Sequence, residues 1–133
     1  MVLGLRSRGF WVLCLIGIIA MGILSRVFHT GLVVLDKYLG DALYAAMVYA
    51  ALRLLWRPAA AAVSTIAVMT VIELFQLTMI PARMFGSDYL IARICARLLG
   101  TEFSFLDMLA YGVGIGCLYL ADHTLDLEKS ALP

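Results

Sequence analysis

Charged residues divide this chain into long apolar runs. Gly9 to Ser25 is 17 residues without a charge, bounded by Arg8 and Arg26. Tyr38 to Trp56 is interrupted only by Asp41 and Arg53, the stretch from Ala59 to Ile80 only by Glu73, and Phe103 to Ala121 only by Asp107. A helix needs about 20 residues to cross ~30 Å of hydrocarbon. The pattern therefore predicts an all-α polytopic membrane protein, with four transmembrane helices over about 9–26, 38–56, 59–80 and 103–121 in an up-down-up-down bundle. Pro58 suits the first turn of the third span, and Pro81 marks its end.

The stretch from Ala82 to Gly100 is too often interrupted to span, by Arg83, Asp88, Arg93 and Arg97. Within it, Arg93 and Arg97 share one helical face while Leu90, Ile94 and Leu98 share another, which predicts a short interfacial helix over about 89–99. Residues 122–133 read as a polar, frayed tail. The sequence has no internal repeat or interdomain linker, so 1–133 reads as a single membrane domain.

Composition narrows the class. With 64% apolar and 14% charged residues, and a mean hydropathy of +1.00, the chain is neither an ordinary soluble domain nor a disordered one. Ten Lys and Arg against nine Asp and Glu leave no basic footprint for nucleic acid. Cys14, Cys95 and Cys117 are scattered, and His29 and His123 are expected on opposite sides of the membrane. No metal site, disulfide framework or cofactor is expected. No Gly-x-Ser-x-Gly, P-loop or His-Glu-x-x-His string occurs, so the chain reads more readily as a non-enzyme.

Orientation is balanced by count. With the N-terminus inside, Arg6, Arg8, Arg53, Arg57 and Lys129 face the cytoplasm, and Arg26, Lys37, Arg83, Arg93 and Arg97 face the other side. Arg6 and Arg8 flank the first helix, which usually dominates, and Arg53 and Arg57 close a short loop. Both termini are therefore expected in the cytoplasm, with the chain a multi-pass protein of a bacterial plasma (inner) membrane. The alternative is a cleaved signal peptide over residues 1–22, ending at Ala20-Met21-Gly22.

Ionisable groups within spans are costly and need partners, water or a function. Here Arg26 ends the first span, Lys37 and Asp41 begin the second, Glu73 and Gln76 lie near the end of the third, and Asp107 begins the fourth. In an up-down-up-down bundle these positions share one side of the membrane, whichever way the chain inserts. Lys37 and Asp41 at i,i+4, and Glu73 and Gln76 at i,i+3, each project from one helix face. Tyr44 and Tyr111 place a phenol one turn deeper than Asp41 and Asp107. Glu73 sits about 10 Å below the expected helix end at Ile80. Gly112 and Gly116, and Ala42, Ala46 and Ala50, allow close helix approach, while Trp11, Trp56, Tyr38 and Tyr89 suit membrane interfaces.

The strings Ser25-Arg26, Lys37-Tyr38-Leu39-Gly40-Asp41-Ala42-Leu43-Tyr44-Ala45, Glu73-Leu74-Phe75-Gln76 and Asp107-Met108-Leu109-Ala110-Tyr111, with Gly100, Phe103, Gly112 and Gly114, resemble the small bacterial membrane-protein family catalogued as domain of unknown function 2809. The likeness runs from about residue 15 to 120. A looser similarity links Glu73, Gln76, Arg83 and Asp107 to VanZ-like proteins, with Tyr111 where an Asn is usual. The first resemblance implies a membrane fold and no particular biochemistry.

The residue pattern favours a pocket formed by Arg26, Lys37, Asp41, Tyr44, Glu73, Gln76, Arg83, Asp107 and Tyr111. Such a pocket suits the head group of an anionic envelope lipid or lipid-linked glycan. The other readings are a proton- or ion-coupled carrier titrating at Glu73, a structural or assembly subunit of a membrane complex, and a buried ion-pair network that only holds helices in register. The expected partners are the lipid bilayer, a lipid-linked envelope molecule, and a second copy or another membrane protein.

Overall fold

The computed structural model describes residues 5–131 and the side chains of residues 8–125. The side chains of Arg6 and Lys129, counted above for orientation, lie outside that description. Six helices follow in order: α1 Leu5–Val27, α2 Val33–Arg53, α3 Pro58–Gln76, α4 Ile80–Phe85, α5 Leu90–Leu99 and α6 Phe105–Ala131. No strand occurs among the described residues.

Three segments are long and apolar enough to cross a membrane: Arg8–Val27, Pro58–Gln76 and Phe105–Leu125. Their outward faces carry many exposed large apolar side chains, among them Leu13, Ile16, Ile23, Val63, Val71, Leu109, Val113 and Leu120. A monomer surrounded by water rarely presents so much contiguous apolar surface, whereas lipid solvates it freely. Helix α2 is of similar length but carries Asp36, Lys37, Asp41 and Arg53. It lies at the centre of the packing, against α6 and α1 and also against α3.

Ala45, Ala46, Tyr49, Ala50 and Arg53 form the buried stripe of α2. On α6 the buried set is Asp107, Ala110, Tyr111, Gly114, Ile115 and Asp122. Lys37 pairs with Asp107 near the beginnings of the two helices, and Arg53 with Asp122 further along both, so α2 and α6 run side by side in the same direction. Their closest approach is at Gly114, where an added Cβ would run into the Ala42 carbonyl oxygen. The expected Gly112–Gly116 contact does not form, because both positions face open space. The backbone contact falls on the glycine between them, which lies on the buried face.

Helix α3 ends at Gln76 rather than at Ile80. The next three amides bond to carbonyls three residues back, Leu77 N to Leu74 O, Thr78 N to Phe75 O and Met79 N to Gln76 O, which tightens the last turn. Met79 then takes a left-handed conformation, with φ of 60°. Pro81 opens the next helix instead of closing the last one: it lies buried in the first turn of α4, where its missing N–H breaks no helical bond. The short amphipathic helix expected over about 89–99 is present as α5, packed on α4, and Gly100 at φ 78° closes it.

Two further expectations change. Residues 122–131 continue α6 as helix, and Asp122 is buried. Trp11 sits within the helix core rather than at a lipid interface, edge-on to Tyr49 with ring centres 5.8 Å apart.

Candidate ligand-binding site

At the α3 C-terminal end of the bundle, α1, α2, α3, α5, α6 and the loop before α6 enclose an open pocket of ≈ 240 Å³. It is lined by Arg26, Lys37, Gly40, Asp41, Tyr44, Gln76, Arg97, Leu98, Leu99, Gly100, Thr101, Glu102, Asp107 and Tyr111. Seven of the nine residues singled out by sequence therefore share one cavity wall. Glu73 lies outside that wall, and Arg83 is exposed on α4. Arg97 supplies a cation that Arg83 was expected to supply, with its guanidinium 5.7 Å from the centre of the Phe85 ring.

Glu73 is fully buried, although it lies only three residues from the end of α3. Its burial comes from cover and not from depth along a long span. The Tyr111 hydroxyl donates to Glu73 Oε1 at 2.6 Å, and the Ser104 amide donates to Oε2 at 3.3 Å. Tyr111 thus reaches across to α3 instead of resting beside Asp107. Both carboxylate oxygens are engaged, so Glu73 anchors the pocket wall and the start of α6 and presents no free oxygen to a ligand.

Gln76, one turn further along, is 3% exposed and splits its amide between two roles. Its Nε2 donates to Leu99 O at 2.7 Å, fastening the end of α5 to the end of α3. Its Oε1 has no hydrogen-bond partner. Gly100 makes that arrangement possible, because a Cβ there would lie 2.7 Å from Gln76 Nε2.

The pocket's charges are arranged by depth. Lys37 Nζ lies 3.1 Å from Asp107 Oδ1, joining half-exposed ammonium to buried carboxylate. Asp41 lies within hydrogen-bonding reach of the Asp107 carboxyl and close to Lys37, and no N–H or hydroxyl of a described residue reaches its buried Oδ2. Arg26, Arg97 and Glu102 are exposed at the rim. Neither arginine forms a salt bridge to a described residue. Exposed guanidinium groups thus stand beside buried, unpartnered acceptors in the residues of one cavity wall, a combination suited to a polar molecule. No cluster of three or more His, Cys, Asp or Glu suited to a metal ion occurs among the described residues, and the three cysteines are free.

The far end of the bundle holds a second buried polar group. Arg53 Nε donates to Asp122 Oδ2 at 2.6 Å, Nη2 to Oδ1 at 3.3 Å, and Nη1 to Trp56 O at 2.9 Å. The Tyr49 hydroxyl also donates to Asp122 Oδ2, at 2.7 Å, and the Trp11 ring lies 5.5 Å from the guanidinium carbon. This cluster was missed in the sequence because Asp122 was assigned to a frayed tail. A signal was present: Arg53 inside an apolar run requires a partner, and Asp122 follows Tyr111 by 11 residues, which returns to nearly the same face of a helix with 3.6 residues per turn.

The family model described as Protein of unknown function (DUF2809) matches residues 31–115. That stretch includes every pocket-lining residue except Arg26, and it includes Glu73. No curated protein and no solved structure matches the chain.

Proposed function

Given that the chain belongs to the family Protein of unknown function (DUF2809), we propose that it is a multi-pass protein of a bacterial inner membrane that binds the head group of an anionic envelope lipid or lipid-linked glycan. In this reading α2 is the fourth span, its charges shielded by α1, α3 and α6. The antiparallel placement of Trp11 and Tyr49, and the parallel pairing of α2 with α6, support an up-down-up-down arrangement. Arg6 and Arg8 before α1, with Arg53 and Arg57 around a short loop, favour cytoplasmic termini. The pocket then opens to the extracytoplasmic leaflet.

The observation that carries the functional reading is the pocket bounded by the exposed guanidinium groups of Arg26 and Arg97 and floored by the unpartnered Gln76 Oε1. Arginine at a membrane surface recognises phosphate or carboxylate. Beside the mouth, α5 exposes Leu90, Ile91, Ile94 and Leu98. Those side chains suit acyl chains at the interface, which would bring a lipid's polar end to the pocket.

Mass spectrometry of lipid retained on protein purified in mild detergent tests this reading. Wild type is expected to retain phosphate-bearing lipid, and a folded Arg26→Ala/Arg97→Ala variant to lose most of it. Equal retention by the two proteins would refute head-group binding.

A further inference from the structure

The pocket floor has more acceptors than its own donors satisfy. Asp41 and Asp107 are two carboxyl groups close together, with Glu73 nearby, and among the described residues the Lys37 ammonium is the cation set against them. Asp41 Oδ2 and Gln76 Oε1 are both buried without a partner, and Gln76 is itself almost wholly enclosed. A buried acceptor left unbonded is unfavourable, and a carboxylate outnumbering the local cations is more so. A fully anionic ligand that reached this floor would meet the wrong charge. At the mouth the position is reversed, with neither Arg26 nor Arg97 in a salt bridge to a described residue.

We infer that the pocket selects a phosphate ester bearing a primary ammonium, with the phosphate held at Arg26 and Arg97 and the ammonium directed inward to Asp41 Oδ2 and Gln76 Oε1. This inference rests on the head-group reading above and narrows it: the anion is the phosphate of a zwitterionic head, and a head without an ammonium is disfavoured. An ammonium supplies both what the floor lacks, N–H donors and positive charge, in one small group. A trimethylammonium carries the charge but no donor, and a glycerol head carries donors but no charge. Both chemical features are needed to satisfy the two orphaned oxygens and the unmatched carboxyl. The ammonium ester can come from a phosphoethanolamine lipid or from a lipid-linked amino sugar.

The test is a competition. Protein in detergent is equilibrated with mixed micelles holding equal amounts of phosphatidylethanolamine, phosphatidylcholine and phosphatidylglycerol, and the retained lipid is quantified by mass spectrometry. The expected result is roughly tenfold preference for the ethanolamine head over the choline head, the scale of one lost charge-assisted hydrogen bond. Asp41→Asn, which removes the charge and keeps the side-chain shape, is expected to bring the two near parity. Soluble glucosamine 1-phosphate is then added to the wild type: displacement of the ethanolamine lipid points to an amino sugar as the source, and failure to displace it points to the lipid, both within the inferred chemistry. Equal retention of ethanolamine and choline heads by wild type, or preference for glycerol, overturns the inference even if Asp41→Asn does not fold. If the double arginine variant still loses all three lipids in that event, head-group binding stands while its ammonium selectivity falls.

Discussion

Tyr111 and Glu73 fasten α6 to α3: the phenol hydroxyl donates to a fully buried carboxylate at 2.6 Å, in the last turn of one helix and the second turn of the other. The contact holds Tyr111, a residue of the pocket wall, against α3. It also explains why a carboxylate so near a helix terminus is shut off from solvent. Ser104 supplies the second donor from the loop that leads into α6, so the same side chain sets where that helix starts.

Removing the phenol hydroxyl leaves Glu73 with an unmet buried acceptor. Tyr111→Phe is expected to destabilise the protein by about 1–3 kcal/mol, measured as a lower thermal unfolding midpoint in detergent. Glu73→Gln retains an acceptor and a similar shape, and is expected to lose less than Glu73→Ala.

Asp122 and Arg53 depend on each other in the same way at the other end. Asp122→Ala alone strands a buried guanidinium and is expected to cost about 3–5 kcal/mol. Replacing the pair together, Arg53→Met with Asp122→Leu, is expected to recover a large part of that loss. A double-mutant cycle on unfolding midpoints checks it, and simple additivity would show that the two side chains are not coupled.

Gly114 is the position where α2 and α6 meet backbone to backbone. Gly114→Ala places a methyl against the Ala42 carbonyl and is expected to destabilise by about 1–3 kcal/mol or more. Gly112→Ala and Gly116→Ala meet open space and, as helix-interior changes, are expected to be neutral or favourable by roughly 0.5–1 kcal/mol. Unfolding midpoints of the three single variants should separate accordingly.

Gly100 combines a φ of 78° with a nearby Gln76 amide. Gly100→Ala is expected to cost about 1–3 kcal/mol in backbone strain and to displace the Gln76 side chain. Weaker lipid retention with the fold intact, read by mass spectrometry and circular dichroism together, is the expected signature.

The proposed four-span arrangement predicts a simple labelling pattern. With Cys14, Cys95 and Cys117 replaced, single cysteines introduced at Thr30 and Ser87 are expected to react with an impermeant thiol reagent from the same side of the membrane. One introduced at Trp56 is expected to react from the opposite side. Labelling of all three from one side would remove α2 from the set of spans.

Much of this architecture is legible in the order of the residues. A charge-free run between Arg8 and Arg26 marks α1, a run broken only by Glu73 marks α3, Pro58 opens α3, and paired arginines against leucines mark α5. The gathering of Arg26, Lys37, Asp41, Gln76 and Asp107 into one cavity follows from helix alternation alone, which is why it could be expected without knowing any contact. What escaped the sequence depends on which neighbour each side chain reaches. Lys37 is four residues from Asp41 yet pairs across to Asp107, and Tyr111 is four from Asp107 yet bonds to Glu73. Spacing along a helix reports a shared face, and only the packing decides the partner. Helix ends were similarly hidden: hydropathy continues past Gln76, but the Met79 turn does not. At Asp122 hydropathy falls while the helix persists, because Arg53, Tyr49 and the end of α6 need one another.

The Arg53–Asp122 pair also gives the molecule a sense of direction. Guanidinium and carboxylate neutralise each other there, with a phenol and an indole folded over them, so that end of the bundle acts as an electrostatic stopper. The two side chains are each 4% exposed, and their polar atoms are spent on each other, on Tyr49 and on the Trp56 carbonyl. At the opposite end oxygens wait unbonded behind two arginines. On the proposed reading, that difference makes the pocket a receptacle entered from one end of the bundle rather than a conduit through it.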